Sequence, residues 1–485
     1  MGNGILKNSL WMLGGNGLQQ FLQFAIFIFL ARFLGPKDFG AVAFAFVFLD
    51  ISTIAVRWGV ADLLIQRKRV TDRLISHCFL FCIALGFVTA ALIATGTFVY
   101  AHLNEVDLLV HLLLMLIPIV FLHAAEAVPE ALVRRNMDFK RLALRNNFAA
   151  MCGGAVALYL AYTGWGAYTL VIQRLIYVSI LLYAVWVASS NRVRLFSPAR
   201  YSKKIFGYVA SAGGRLVSGP FSLMLGPKLS DLLVGVYLGE AALGFLKFAK
   251  RIFDFSAQIT IMPVSSVSTP AFSRISQDRE SLKSVYKQMQ VITAFLAFPL
   301  FIGTAAIAPY WVPLLLGPKW LDAVVLIQWT SLLVFPAVVN YFQMPLLLAL
   351  SQNELILKLN ALRLVLSLIG AYFGAQVSTL AVVQISVVIA FGFMAYYWII
   401  IRRLVGWGIS ESFVNLAPPS FTVAFMTLTL LFVRILMPDD VAPVVIMVSE
   451  IASGGLAYCL VVYLLYRETV LTYARSVLKL RSKAG

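Results

Sequence analysis

Charged side chains are scarce in this chain, and acidic ones scarcest: Asp, Glu, Lys and Arg make up 12% of the 485 residues, and only 21 of these are acids. An ordinary water-soluble domain carries about 25% charged residues. Combined with 61% hydrophobic residues and a mean hydropathy of +0.88, that deficit excludes a soluble globule and makes lipid the solvent. Cysteine is rarer still. Cys78, Cys82, Cys152 and Cys459 all fall inside apolar runs and imply no disulfide framework. His77 beside Cys78 and Cys82 resembles a metal cluster in residue type alone, because two thiols on one helix leave a tetrahedral set incomplete. Period-two alternation is missing, which excludes a transmembrane barrel. So is a Gly-Lys-Ser/Thr phosphate loop, so ATP hydrolysis is not expected. Gly14, Gly15 and Gly17 follow no strand and are expected to let the first helix bend or pack closely.

What is abundant is apolar sequence in runs of roughly 20 residues or more, each long enough to cross the hydrocarbon as helix. Between short polar hinges they predict an all-α polytopic membrane protein with spans near 8–34, 40–65, 74–101, 107–133, 142–163 and 165–190. A second set follows near 206–236, 240–272, 288–309, 321–348, 354–375 and 376–401, with a final pair near 412–437 and 441–466. That makes about fourteen spans. The organisation expected is a six-helix bundle over 1–195, another over 206–404, two extra helices over 405–466, and a basic amphipathic tail over 467–485 lying on the anionic leaflet. Lys7 precedes an apolar run, but Asn16, Gln19, Gln20 and Gln23 interrupt it and no small-residue cleavage site follows, so an uncleaved first helix is expected.

The net charge of +18 gathers on no separate soluble domain, which argues against nucleic acid. It collects in alternate hinges: Arg67, Lys68, Arg69 and Arg73; Arg134, Arg135, Lys140 and Arg141; Arg192, Arg194, Arg200, Lys203 and Lys204; Arg274, Arg279, Lys283 and Lys287; Arg402 and Arg403. Positive charge stays cytoplasmic during insertion, so both termini are expected in the cytoplasm. Tyr100, Trp165, Tyr310, Trp311 and Trp320 then fall at the opposite ends as interfacial rings.

A repeat runs through the chain. Leu34-Gly35, Gly40 and Asp50 recur as Leu238-Gly239, Gly244 and Asp254 at one constant offset. Because six helices return the chain to its starting side, the two copies are expected to share one orientation, related by an axis along the membrane normal, with a cavity at their interface.

Charges inside spans cost about 2.5–3.5 kcal/mol each if they face lipid, so they mark function or pairing. Arg57, Arg174, Arg215, Lys247 and Arg251 have no obvious local acid and, with Lys250, Gln20 and Gln23, are the candidate lining of a wet cavity that handles an anion. Asp50, Asp62, Glu126 and Asp254 are the candidates for binding a coupling proton or sodium ion. Lys228 with Asp231, and Lys250 with Asp254, stand at spacings of mutual ion pairs. Arg145, Glu130 and Lys358 lie near cytoplasmic ends, where snorkelling is the expectation.

ARFLGPKDFGAVAFAF at 31–46, the hinge QRKR at 66–69 and LLGPKW at 315–320 resemble the recurrent turns of Wzx-type polysaccharide flippases of the MOP exporter superfamily, nearest the colanic-acid and succinoglycan exopolysaccharide subgroup. The resemblance implies a flippase rather than an enzyme, in a bacterial inner membrane. It implies alternating access that carries undecaprenyl-diphosphate-linked oligosaccharide units to the periplasmic leaflet. It also implies contact with membrane lipids, a polysaccharide polymerase and export machinery, and no cofactor beyond a coupling ion. The alternatives are a lipid II flippase of the MurJ type or a MATE-type antiporter of drugs and ions. A membrane glycosyltransferase or polymerase is expected to show a large loop or nucleotide-sugar domain, and neither is visible.

Overall fold

In the computed structural model, residues 2–103, 107–136, 139–189, 202–438 and 441–473 are described. Arg192, Arg194 and Arg200 of the expected basic hinge, and Arg475, Lys479, Arg481 and Lys483 of the expected tail, lie outside the described residues. The chain divides into two compact units, Met1–Gly244 and Phe245–Gly485.

The first unit contains α1 (Gly2–Phe33), α2 (Pro36–Arg57), α3 (Val60–Gln66), α4 (Asp72–Leu103), α5 (Asp107–Arg135), α6 (Phe139–Tyr162), α7 (Tyr168–Ser189) and the start of α8 (Lys203–Thr260). α5 packs against α2, α3, α4 and α7, and α1 packs against α6. The start of α2 is written locally: Pro36 opens it with a preset φ, and the Asp38 carboxylate accepts the Gly35 N–H at 3.0 Å. Its end is unusual. Trp58 takes the left-handed φ of 35° and Gly59 follows at φ 65°, a conformation that costs a non-glycine residue about 1–2 kcal/mol. Tertiary contact holds it there: the Trp58 indole N–H donates to the Ala210 carbonyl at 3.0 Å, and Gly213 sits so close to the Trp58 carbonyl that a Cβ would fall 2.3 Å from its oxygen. The single span expected over 40–65 is therefore two helices with a corner.

α8 is likewise broken, at Gly239, whose φ of 83° only glycine adopts readily. Its repeat counterpart Gly35 has φ −87°, so the matched turns share residues but not backbone conformation. The matched spacing instead serves a crossing. A Cβ on Gly40 would lie 1.6 Å from the Glu240 carbonyl oxygen, and one on Gly244 would lie 2.0 Å from the Pro36 carbonyl oxygen. Each glycine of the repeat thus receives the backbone just after the other copy's turn.

The second unit continues with α9 (Met262–Arg274), α10 (Arg279–Ala306), α11 (Ala308–Leu316), α12 (Asp322–Ser331), α13 (Val334–Asn340), α14 (Gln343–Ala349), α15 (Asn353–Ala375), α16 (Thr379–Val405), α17 (Ile409–Leu436) and α18 (Pro443–Val461). α10 is its central rod, burying Ala294, Ala297, Phe298 and Phe301 against Val334, Val338, Val423 and Met426. α17 and α18 are joined by Arg434, which donates to Glu450 through Nε at 2.8 Å and Nη2 at 3.1 Å and reaches the Ala306 carbonyl at 3.0 Å. Trp320 and Trp311 correct the expectation of interfacial rings: Trp320 is fully buried, 4.7 Å from the Phe248 ring, and Trp311 packs on the same phenylalanine at 6.3 Å.

Eleven helices among the described residues are long and apolar enough to cross a membrane, and Gly17–Phe33 adds a shorter one. Met224–Thr260 counts once among the eleven although Gly239 breaks it. α6, with Arg145, Asn146 and Asn147 in its first half, is not among them.

α10 is capped by Asp278, whose carboxylate accepts the N–H groups of Glu280 and Ser281 at 3.1 and 3.2 Å. Hydrogen bonds from Ser281, side chain first and then backbone, and from the Glu280 N–H hold that carboxyl below its ordinary range. A depressed folded-state value means that the cap's stabilisation is present above the ordinary carboxylate range and is lost as pH falls through the lowered value. Amide protection at residues 279–282, referred to the intrinsic exchange rate at each pH, is expected to fall on acidification, and Asp278→Ala to show the reduced protection already at neutral pH.

Candidate functional site

α5 places His123, Glu126 and Glu130 on one face by their spacing of three and four residues. Three neighbouring helices bring cations to that face. Arg57, on the last turn of α2, stands with Nη2 3.6 Å from Glu126 and 3.2 Å from Glu130. Arg145 of α6 approaches the other Glu126 oxygen at 3.3 Å and donates through Nε to Asn146 at 3.1 Å. Arg134, one turn beyond Glu130, pairs with it at 2.5 Å. On α7, Arg174 lies over the Tyr177 ring at 5.7 Å, and the Tyr177 hydroxyl accepts from Gln19 of α1 at 3.2 Å.

Burial sorts these groups. Glu126 is fully buried, Glu130 and Arg145 nearly so, whereas the Arg57 side chain is 33% exposed and Arg134 half-exposed. In an apolar interior a carboxylate stays charged only against cations held close, and here three guanidiniums surround two carboxylates, leaving one positive charge in surplus. The contacts around Glu126 are loose. Both of its oxygens, both nitrogens of His123, Nη1 of Arg145 and Nε of Arg57 have no hydrogen-bond partner. They form a buried polar cluster held by charge rather than by closed hydrogen bonds.

Several expectations are corrected by this geometry. Arg57 does have acids: they come from α5, which no local spacing in α2 could reveal. Arg145 and Glu130 do not snorkel, because each is buried against an opposite charge. Lys358 is exposed and pairs with Glu354 one turn back at 2.7 Å. Lys228 bonds to Asp50 of α2, so one candidate coupling acid is already engaged by a lysine. Asp62 sits exposed on α3. Arg215 is exposed and donates from Nε to the Ser211 carbonyl at 3.3 Å. Gln20 and Gln23 are half-buried on α1.

In the second unit Lys247, Lys250 and Arg251 are half-buried on α8 and Asp254 is exposed, with Arg251 in electrostatic reach of Asp254. His123 is the member of the cluster that sequence reasoning passed over, although its position one turn before Glu126 was the available signal. His77 is tied structurally, its ring nitrogens bonded to the Arg73 carbonyl and the Ser202 N–H at 2.7 and 3.0 Å.

Comparison with known proteins agrees with this architecture. The family model described as polysaccharide biosynthesis protein matches residues 29–325. The succinoglycan biosynthesis transport protein ExoT of Rhizobium meliloti (strain 1021) is 25% identical over 312 residues, 61% of this chain and 59% of that protein. The lipopolysaccharide biosynthesis protein WzxC of Escherichia coli (strain K12) is 21% identical over 292 residues, 59% of this chain and 58% of its own. The chain thus spans about three fifths of the length of these relatives. Among solved structures, the lipid II flippase MurJ in an inward closed conformation superposes with a TM-score of 0.75 at 13% identity, covering 96% of this chain and 100% of that one. An inward-facing multidrug resistance MATE family transporter of the MOP superfamily gives 0.61 at 16% identity, covering 79% and 95%. The fold is the MurJ- and MATE-like helical membrane fold.

Proposed function

Because this chain belongs to the polysaccharide biosynthesis protein family, matched over residues 29–325, we propose that it moves a polyprenyl-diphosphate-linked oligosaccharide across a bacterial inner membrane by alternating access, as a transporter and not an enzyme. The cargo travels from the cytoplasmic to the periplasmic leaflet, both termini stay in the cytoplasm, and a polymerase and export machinery take up the product. A proton or sodium gradient drives the cycle.

The observation that carries this reading is the guanidinium of Arg57, one-third exposed at the edge of a buried cluster with surplus positive charge. Its buried side faces two glutamates, and its open side is available to an anion. Phosphate oxygens suit it because a guanidinium offers a planar fork of donors. A cationic drug, the cargo of a MATE-type transporter, would meet repulsion at the same place. Asn and Gln side chains such as Gln20 and Gln23 supply hydrogen bonds for sugar hydroxyls.

Reconstituted in vesicles, the protein is expected to flip a fluorescent polyprenyl-diphosphate oligosaccharide far faster than protein-free vesicles do. Arg57→Ala is expected to lower that rate about tenfold to a hundredfold, the worth of one charge-assisted hydrogen bond of about 1.5–3 kcal/mol. Wild-type vesicles no faster than empty ones refute the reading.

A further inference from the structure

We propose that His123, backed by Glu126, is a proton-binding site within the first unit, and that its proton controls how tightly Arg57 is held. The proposal rests on the transport reading above and deepens it by adding a proton-sensitive control on the anion-binding arginine. His123 is 4% exposed and neither ring nitrogen has a hydrogen-bond partner. A neutral imidazole buried in this way leaves at least Nε2 unsatisfied, at a cost of about 1–3 kcal/mol. Protonation changes this, because Nδ1 lies 3.5 Å from a Glu126 oxygen and a small rotation turns that approach into a charge-assisted bond.

The groups that face the ring come from every side. Glu126 and Glu130 share its helix, Arg57 reaches in from α2, Arg145 from α6, and Arg174 with Tyr177 from α7, while the Cys82 thiol lies buried on α4. Asp62 of α3 is exposed and stands apart.

This set of neighbours selects the ion. Sodium needs several oxygen ligands, and every carboxylate oxygen of Glu126 and Glu130 already faces a guanidinium within 2.5–3.6 Å. A proton needs one ring nitrogen and no cage. Histidine is also the side chain whose ordinary titration falls between about pH 5 and 8.

The proton arrives from water, binds a ring nitrogen and later returns to water. While bound, it gives Glu126 a third cation, so the carboxylate leans toward His123 and Arg145 and relaxes its hold on Arg57. The freed guanidinium then turns to an anion. By reciprocity, an anion on Arg57 must tighten proton binding at His123 by the same factor.

The test uses the full chain in nanodiscs with ring-labelled histidine. The chain has four histidines, and the His123 resonance is assigned with His123→Gln or, should that variant not fold, by elimination with His77→Gln, His102→Gln and His111→Gln. Over a titration from about pH 4 to 8.5 the ring is expected to change protonation state, and Glu126→Gln to weaken proton binding about tenfold. In vesicles, an imposed pH gradient is expected to change the wild-type rate of the fluorescent polyprenyl-diphosphate probe at least threefold and to leave His123→Gln unchanged. A ring fixed in one protonation state across that range overturns the proposal, as does a His123→Gln variant with the wild-type gradient response. If the wild type flips no probe, the transport reading fails, and the titration still decides the proton site.

Discussion

Glu126→Ala is expected to destabilise the folded protein by about 3–5 kcal/mol, because it leaves a buried guanidinium with no counter-charge. The loss falls unevenly on its neighbours. Arg57 keeps Glu130 at 3.2 Å and has one-third of its side chain open to relax. Arg145 has neither remedy: Glu126 is its acid, at 3.3 Å, and the residue is 9% exposed. The double variant Glu126→Leu with Arg145→Met removes both charges together and is expected to recover most of the loss, since a buried pair replaced by apolar groups of similar volume is often neutral in stability. Thermal unfolding in detergent, compared across the single and double variants, reads the difference. A single variant within about 1 kcal/mol of wild type would show that the carboxylate is not the counter-charge the geometry makes it. Transport should separate from stability in this series: the double variant folds and yet moves cargo poorly, having lost the cluster.

The second large effect is expected at the glycine crossing of the first unit. A methyl on Gly40 would have to occupy space 1.6 Å from the Glu240 oxygen and 2.4 Å from its carbonyl carbon. These are backbone atoms, which cannot swing aside as a side-chain tip can. Gly40→Ala must therefore part α2 from the α8 segment that begins after Gly239, at a cost of about 1–3 kcal/mol or more. Gly96→Ala is the control, since nothing lies within 4 Å of its added Cβ. Gly244→Ala meets the Pro36 oxygen at 2.0 Å and should behave like Gly40→Ala. Combining the two should cost clearly less than the sum, because a crossing already opened by one methyl has room for the other. Additive losses would mean that the two glycines are tight for separate reasons.

The helical membrane architecture was legible in the sequence because hydropathy and hinge composition are local properties. The list of charged residues inside spans was legible for the same reason. Their pairings were not. Lys228 bonds to Asp50, 178 residues away, because helix packing sets which side chains meet. Arg57 read as unpaired for the same cause. Trp311 and Trp320 show a second limit: a ring near the end of an apolar run has the same composition whether it seeks the interface or fills a core. The repeat was readable as matching letters, while its physical purpose, two glycines each admitting the other copy's backbone, required coordinates. His123 was hidden by chemistry rather than distance, since a lone histidine in a helix is ordinarily unremarkable until its nitrogens are found without partners.

The Arg434–Glu450 clasp bears on how the end of this protein can be handled. Shortening the polypeptide before Pro443 would remove the buried acid that this guanidinium clasps, together with the helix packed against α17. The terminal hairpin is therefore not a removable accessory to a shorter working machine, and crystallisation or fusion designs should keep it whole.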